Sequence, residues 1–272
     1  MTASNEYAKV GDYAGIDLLA AAAAREVCDG DVVFAGTGLP MLAISLAQNE
    51  HAPNAACIYE AGSIDGRPID IPTSVGDARC AYQAAKVGGL YEAFYGQLHS
   101  GYVDLGFLGG AEIDKYGNLN TTYIGTPLNP KMRFTGSGGN ADILSFAKRI
   151  VLIMVQEKRR FTEELEYVTS PGWRVKKWPG GEYVPKQEVY GKFFSGGPSA
   201  CITDMAIFRF DETGLMYLDT VHPGYSIEDV KSKVGFDLNI KRCSGETLPP
   251  TYRQLEILYK IVDPEGIFLP AL

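Results

Sequence analysis

An α/β fold, with a mostly parallel open sheet and helices on both faces, is predicted by three features of this chain. Short apolar runs recur, each breaking into glycine or a polar turn. Ala- and Leu-rich stretches with helical spacing alternate with those runs, and no fixed-period repeat is present. Strands that alternate with helices belong to sheets whose connections cross over and cover both faces.

Taken in order, residues 16–28 (IDLLAAAAAREVC) form a helix opening after Gly15. Residues 31–35 (DVVFA) form a buried strand that runs into Gly36, Thr37 and Gly38. Residues 39–48 return to helical spacing, with Pro40 in the first turn where its missing N–H costs nothing. A strand over 56–59 ends at Glu60. Helical material over 77–86 and an aromatic segment over 90–98 follow, then strands over 103–108 (VDLGFL) and 150–155 (IVLIMV). Residues 169–197 hold both tryptophans, Trp173 and Trp178, among many Gly and Pro residues, and read as a long ordered loop or lid. Three short strands over 200–202, 205–210 and 215–219, and helices near 226–234 and 250–261, complete the chain. No linker separates independent domains, so residues 1–272 read as one domain.

Composition excludes several function classes. The 272 residues are 46% hydrophobic and 21% charged, as in ordinary globular proteins. A net charge of −8 disfavours nonspecific nucleic-acid binding, which needs a basic face. No membrane partner is expected, since no stretch reaches the length of a span. The opening MTASNEYAKVGDYAG lacks an apolar signal core, and the five cysteines are widely spaced without metal-ligand pairing. Reduced thiols, a cytoplasmic location and no metal site are the expectation. His51, His99 and His222 stand alone and read as surface or internally satisfied residues.

Chemistry concentrates at one acid and three glycine turns. Glu60 closes an apolar run and precedes the Ala61-Gly62-Ser63 turn, which places a carboxylate at the carboxyl end of a strand. Open α/β sheets build their ligand crevices there; a solvated strand-end acid is the bland alternative. Gly36-Thr37-Gly38 lies between strand and helix and offers amides to an anion, but lacks the third glycine or the lysine of a nucleotide fingerprint. Gly109 to Asn120 forms a polar turn that Asp114 and Asn118 shape. Gly136-Ser137-Gly138-Gly139 precedes a helix and could supply an oxyanion hole from backbone donors. Each glycine turn has an equally ready structural reading, as a tight turn or a close approach. Ser63 either orients Glu60 or caps the turn. Arg133 and Lys131 read as a solvated rim, and Lys158, Arg159 and Arg160 as a basic cluster available to an anionic small molecule or to acids at a subunit interface.

Eight stretches in order resemble the class I coenzyme A transferases, beta-type half, over nearly the whole chain. They are VVFAGTGLP (32–40), EAGSIDG (60–66), PTSVGD (72–77), GGAEIDKYGNLN (109–120), RFTGSGGNADI (133–143), EKRRF (157–161), VTSPGW (168–173) and CITDMAIF (201–208). Within that family the likeness is to the glutaconate type. The resemblance implies a CoA-transferase (NagB-like) α/β fold and assigns Glu60 as the catalytic nucleophile. It assigns Gly136, Gly138 and Gly139 to the oxyanion and CoA-binding region, and leaves Gly36, Thr37, Gly38 and Ser63 as candidates for contact with substrate or anion. It further implies an alpha-type partner subunit, an acyl-CoA and a carboxylic acid as substrates, and no permanently bound cofactor beyond the coenzyme A thioester itself. Two other readings stay open: a hydrolase on the same scaffold, and a non-catalytic sensing or scaffolding subunit. The basic and aromatic residues of RVKKWPGGEYVP fit a bulkier or aromatic-derived acid.

Overall fold

Alanine decides how the first helix packs. In the computed structural model, which describes residues 4–270 except Trp178 and Ser195, α1 (Gly15–Ala24) buries Ala20 through Ala24. These small side chains let it approach α2 (Leu39–Asn49) closely. The chain forms two compact units: one holds the chain up to Phe107 and again from Leu248, the other Leu108 to Thr247.

The first unit orders its strands β5-β1-β2-β3-β4, with β1 (Val32–Ala35), β2 (Ala56–Tyr59), β3 (Ser63–Ile64), β4 (Lys86–Val87) and β5 (Leu105–Leu108). β1 lies parallel to β2 and β5, whereas β3 and β4 add antiparallel pairs. The open sheet is therefore mixed. Its outer edge turns antiparallel because the chain leaves β2 through a tight turn, and only a longer crossover could return it parallel.

The second unit contains the hairpins β6 (Glu112–Ile113) with β7 (Leu119–Asn120), and β8 (Tyr123–Gly125) with β9 (Pro130–Arg133). α3 (Asn140–Phe146) and β10 (Arg149–Met154) follow. A third hairpin, β11 (Arg174–Lys176) with β12 (Tyr183–Pro185), leads into α4 (Lys186–Tyr190). β13 (Pro198–Thr203) pairs parallel with β10 and antiparallel with β14 (Ala206–Phe210), which pairs with β15 (Met216–Val221). α5 (Ile227–Ser232) is closed by a Ser226–Asp229 capping box. The chain then returns to the first unit as α6 (Tyr252–Ile257), whose Thr251–Gln254 box repeats the device.

Two stretches differ from the sequence expectation. Residues 77–86 make a single 3₁₀ turn, Ala78–Ala81, because the Asp77 carboxylate takes the Arg79 amide at 3.0 Å and Gln83 adopts φ +53°. A helix cannot run through that backbone. Within 169–197 the excursion carries β11, β12 and α4, and Trp173 donates from Nε1 to the Pro198 carbonyl at 2.7 Å. Trp178 lies outside the described residues. Lys186 of α4 is fully buried, with Nζ 3.4 Å from the Leu144 carbonyl of α3, and burial lowers its amine to about 8. His222 is the satisfied histidine expected, its ring bonded to Thr247 Oγ1 at 2.8 Å and the Thr203 carbonyl at 2.7 Å.

Candidate active site

Register places Ala35 of β1 beside Tyr59 of β2, so Gly36 and Glu60 emerge together from the carboxyl ends of parallel neighbours. Glu60 is half-buried, and among the described residues no hydrogen bond or ion pair engages its carboxylate. The turn beneath it is rigid. Gly62 donates to the Tyr59 carbonyl at 2.9 Å and its own carbonyl accepts the Gly88 amide at 2.9 Å. At φ +112°, a Cβ on Gly62 would lie 2.5 Å from backbone atoms of Gly88 and Gly89, so only glycine fits. Ser63 is buried and its hydroxyl donates to the Cys80 carbonyl at 2.5 Å, which ties the turn to the 3₁₀ segment. That proton is committed to the fold.

Around Gly36-Thr37-Gly38 the backbone is left available. Gly38 adopts φ +85° and its carbonyl accepts the Met41 amide at 2.9 Å, while Thr37 is exposed. Among the described residues no acceptor takes the amides of Gly36, Thr37 or Gly38. Asp65, two residues past Ser63, sits at φ +55° with Arg67 at 3.1 Å, and Arg79 holds Asp70 at 2.9 Å. The Asp65 Oδ1 that faces Arg67 is buried without an aligned hydrogen bond, so the contact is a charge pair and little more.

In the second unit, the glycine turn over 136–139 borders a hollow of about 380 Å³. Gly136 does not offer its amide: it donates to the Thr121 carbonyl at 2.9 Å, while the Thr121 hydroxyl returns a bond to the Gly136 carbonyl at 2.8 Å. The amides of Ser137, Gly138 and Gly139 have no acceptor among the described residues, and Gly138 is exposed at φ +48°. Asn140 joins the hollow's walls, donating to the Gly109 carbonyl at 3.0 Å and accepting from the Ser170 hydroxyl at 2.6 Å. Asn140 falls within the RFTGSGGNADI stretch, whereas nothing in the spacing of residues announces Thr121; the partners of both are distant along the chain.

Asp114 and Asn118 shape the turn between β6 and β7. The Asp114 carboxylate accepts the amides of Tyr116 and Asn118 at 2.9 and 3.0 Å and the Asn118 side chain at 2.7 Å. Burial nonetheless raises Asp114 to about 6. Arg133 is exposed and reaches the Pro127 carbonyl at 3.3 Å, as a rim residue does. Arg159 and Arg160 share Glu157, at 2.6 and 3.2 Å.

The family model described as Coenzyme A transferase matches residues 16–233. The chain belongs to the coenzyme A transferase family. It is 37% identical over 265 residues to the B-type subunit of glutaconate CoA-transferase from Acidaminococcus fermentans, covering 95% of this chain and 96% of that one. It is 36% identical to the B-type subunit of 3-oxoadipate CoA-transferase from Pseudomonas knackmussii, covering 90% and 92%. The crystal structure of glutaconate coenzyme A-transferase from A. fermentans superposes with a TM-score of 0.86 at 35% identity, covering 98% of this chain and all of that chain. This CoA-transferase thus has the α/β architecture of its family and corresponds to the beta-type half. The crystal structure of the decarboxylase AibA/AibB, at 24% identity and a TM-score of 0.78, shares the fold alone. Among the described residues no helix is long and apolar enough to cross a membrane, and no His, Cys, Asp and Glu side chains group as a metal site.

Proposed function

We propose that this chain is the beta-type subunit of an acyl-CoA:carboxylate CoA-transferase working by ping-pong exchange through Glu60. A carboxylate is a weak nucleophile, and positioning beside a thioester carbonyl in a partly desolvated site compensates for that. A Glu60 oxygen attacks the acyl carbon, the C–S bond breaks, and a mixed anhydride forms as coenzyme A leaves as thiolate. The thiolate attacks the glutamyl carbon and releases the donor acid as carboxylate, leaving a glutamyl-CoA thioester. An acceptor carboxylate runs the two steps in reverse. Charge on each tetrahedral oxygen calls for backbone N–H donors, and Gly138 and Gly139, on a turn that Gly136 holds, have amides with no acceptor among the described residues.

One observation carries this reading: the Glu60 carboxylate is half-buried at a strand end and unengaged, on a turn that only glycine can close. A structural acid would be expected to hold a partner. The subunit naming of both relatives supports an alpha-type partner here. Their named acids, both dicarboxylic, make dicarboxylates the first acceptors to test.

The chain purified with its alpha-type partner should, on acyl-CoA, yield an adduct on Glu60 that borohydride or hydroxylamine traps. Coenzyme A release without an acceptor and without an adduct would replace transfer by hydrolysis. Inertness of the complete complex would leave a binding role.

A further inference from the structure

Among the residues lining the 380 Å³ hollow, one side chain carries charge: Arg160. The others are Gly109, Gly110, Ala111, Thr121, Phe134, Thr135, Gly136, Ser137 and Asn140, so no acid opposes it from the walls. The Arg160 backbone is locked in place. Its amide donates to the Glu157 carbonyl and its carbonyl accepts the Ile113 amide, each at 2.7 Å, and the next residue, Phe161, is fully buried.

The side chain is aimed as well as anchored. Glu157 takes Arg160 Nε at 3.2 Å, and the two terminal nitrogens have no partner among the described residues. Glu157 also holds Arg159 at 2.6 Å, so two guanidiniums share one carboxylate and the cluster keeps a positive charge in a chain of net charge −8. Two neighbouring donors in the hollow are already spent, the Thr121 hydroxyl on Gly136 and the Asn140 amide on Gly109, while the Ser137 amide has no acceptor among the described residues and adds an uncharged donor beside the fork. An open planar fork facing a hollow is the geometry that grips a carboxylate or phosphate by two parallel bonds.

We propose that Arg160, oriented by Glu157, is the anion anchor of this hollow and binds an oxyanion-bearing group of the substrate. The shared chemistry is a pair of anionic oxygens. Its sources are the carboxylate of the acid or a phosphate of coenzyme A. The choice of ligands rests on the CoA-transferase reading, whereas the binding itself does not.

Calorimetry on the partnered complex with Glu60→Gln, which removes turnover, tests this with free coenzyme A and with glutarate as separate titrants. Arg160→Gln should weaken one of the two by about 10- to 100-fold, the loss expected for a charge-assisted contact, and leave the other unchanged. Loss of coenzyme A binding identifies the phosphate, and loss of glutarate binding the carboxylate. Arg160→Lys should fall between, keeping the charge without the fork. Unchanged affinity for both ligands overturns the proposal, as does equal loss of both with a lowered melting temperature. Because the readout is binding, a failed adduct test on Glu60 leaves this result interpretable.

Discussion

Replacing Lys186 with methionine should stabilise the protein at neutral pH. The amine is fully buried, and among the described residues no carboxylate accompanies it and its single acceptor is the Leu144 carbonyl at a long 3.4 Å. Burial brings it from the ordinary 10.5 to about 8. The folded value lies below the unfolded one, so the protonated amine is penalised by folding. That penalty is carried in full below pH 8, declines as pH rises from 8 to 10.5, and is gone above. The difference corresponds to about 3 kcal/mol, at 1.36 kcal/mol per tenfold change in proton affinity. Methionine matches the length of the stem, loses a hydrogen bond worth at most about 1 kcal/mol, and leaves no charge to bury. The expected net gain is about 2 kcal/mol at pH 7, and above pH 10.5 only the lost hydrogen bond is left, a deficit of at most about 1 kcal/mol. Urea unfolding of both proteins at pH 7 and pH 10.5, followed by circular dichroism, measures it. A variant less stable than the parent at pH 7, or a gain that does not change with pH, would refute the desolvation argument.

Three further substitutions probe the site and its supports. Glu60→Gln should lower exchange by about three orders of magnitude or more, yet move stability by no more than about 0.5 kcal/mol, since among the described residues nothing bonds the carboxylate. Kinetics and melting on the same preparation decide this, and retained exchange would remove Glu60 from the mechanism. Gly62→Ala should cost at least about 1–3 kcal/mol for its left-handed backbone alone, with the 2.5 Å approach to Gly88 and Gly89 added, and should lower exchange by displacing Glu60. Asp114→Asn sets an amide donor against the Asn118 side chain that now donates across 2.7 Å, and should destabilise by about 1–3 kcal/mol in urea unfolding at pH 7.5.

Local patterns made much of the scaffold readable. The buried runs ending at Ala35 and Tyr59 are strands because continuous apolar residues between turn signals suit a strand covered on both faces. Alanine-rich residues 16–28 form a helix, although it stops at Ala24, four residues early. The antiparallel edge of β3 and β4 was illegible, since strands of two residues carry no periodicity to detect. Helical composition over 77–86 was overridden by Asp77, whose carboxylate competes for backbone amides. The hairpin inside 169–197 escaped for a similar reason: its strands are short, and Gly and Pro dominate the composition around them.

For the site, the division falls between identity and availability. Sequence alone nominated the candidates for the chemistry: an acid closing an apolar strand, and glycine turns able to present amides, because residue type and spacing along one strand or turn are local properties. Which of those groups are left free was decided only by tertiary structure. Ser63 and Gly136 spend their donors on Cys80 and Thr121, whereas Glu60, Gly138 and the Arg160 fork do not. Those partners lie 15 to 17 residues away in the chain, and a hydrogen bond across such a separation exists only once folding has brought its two ends together.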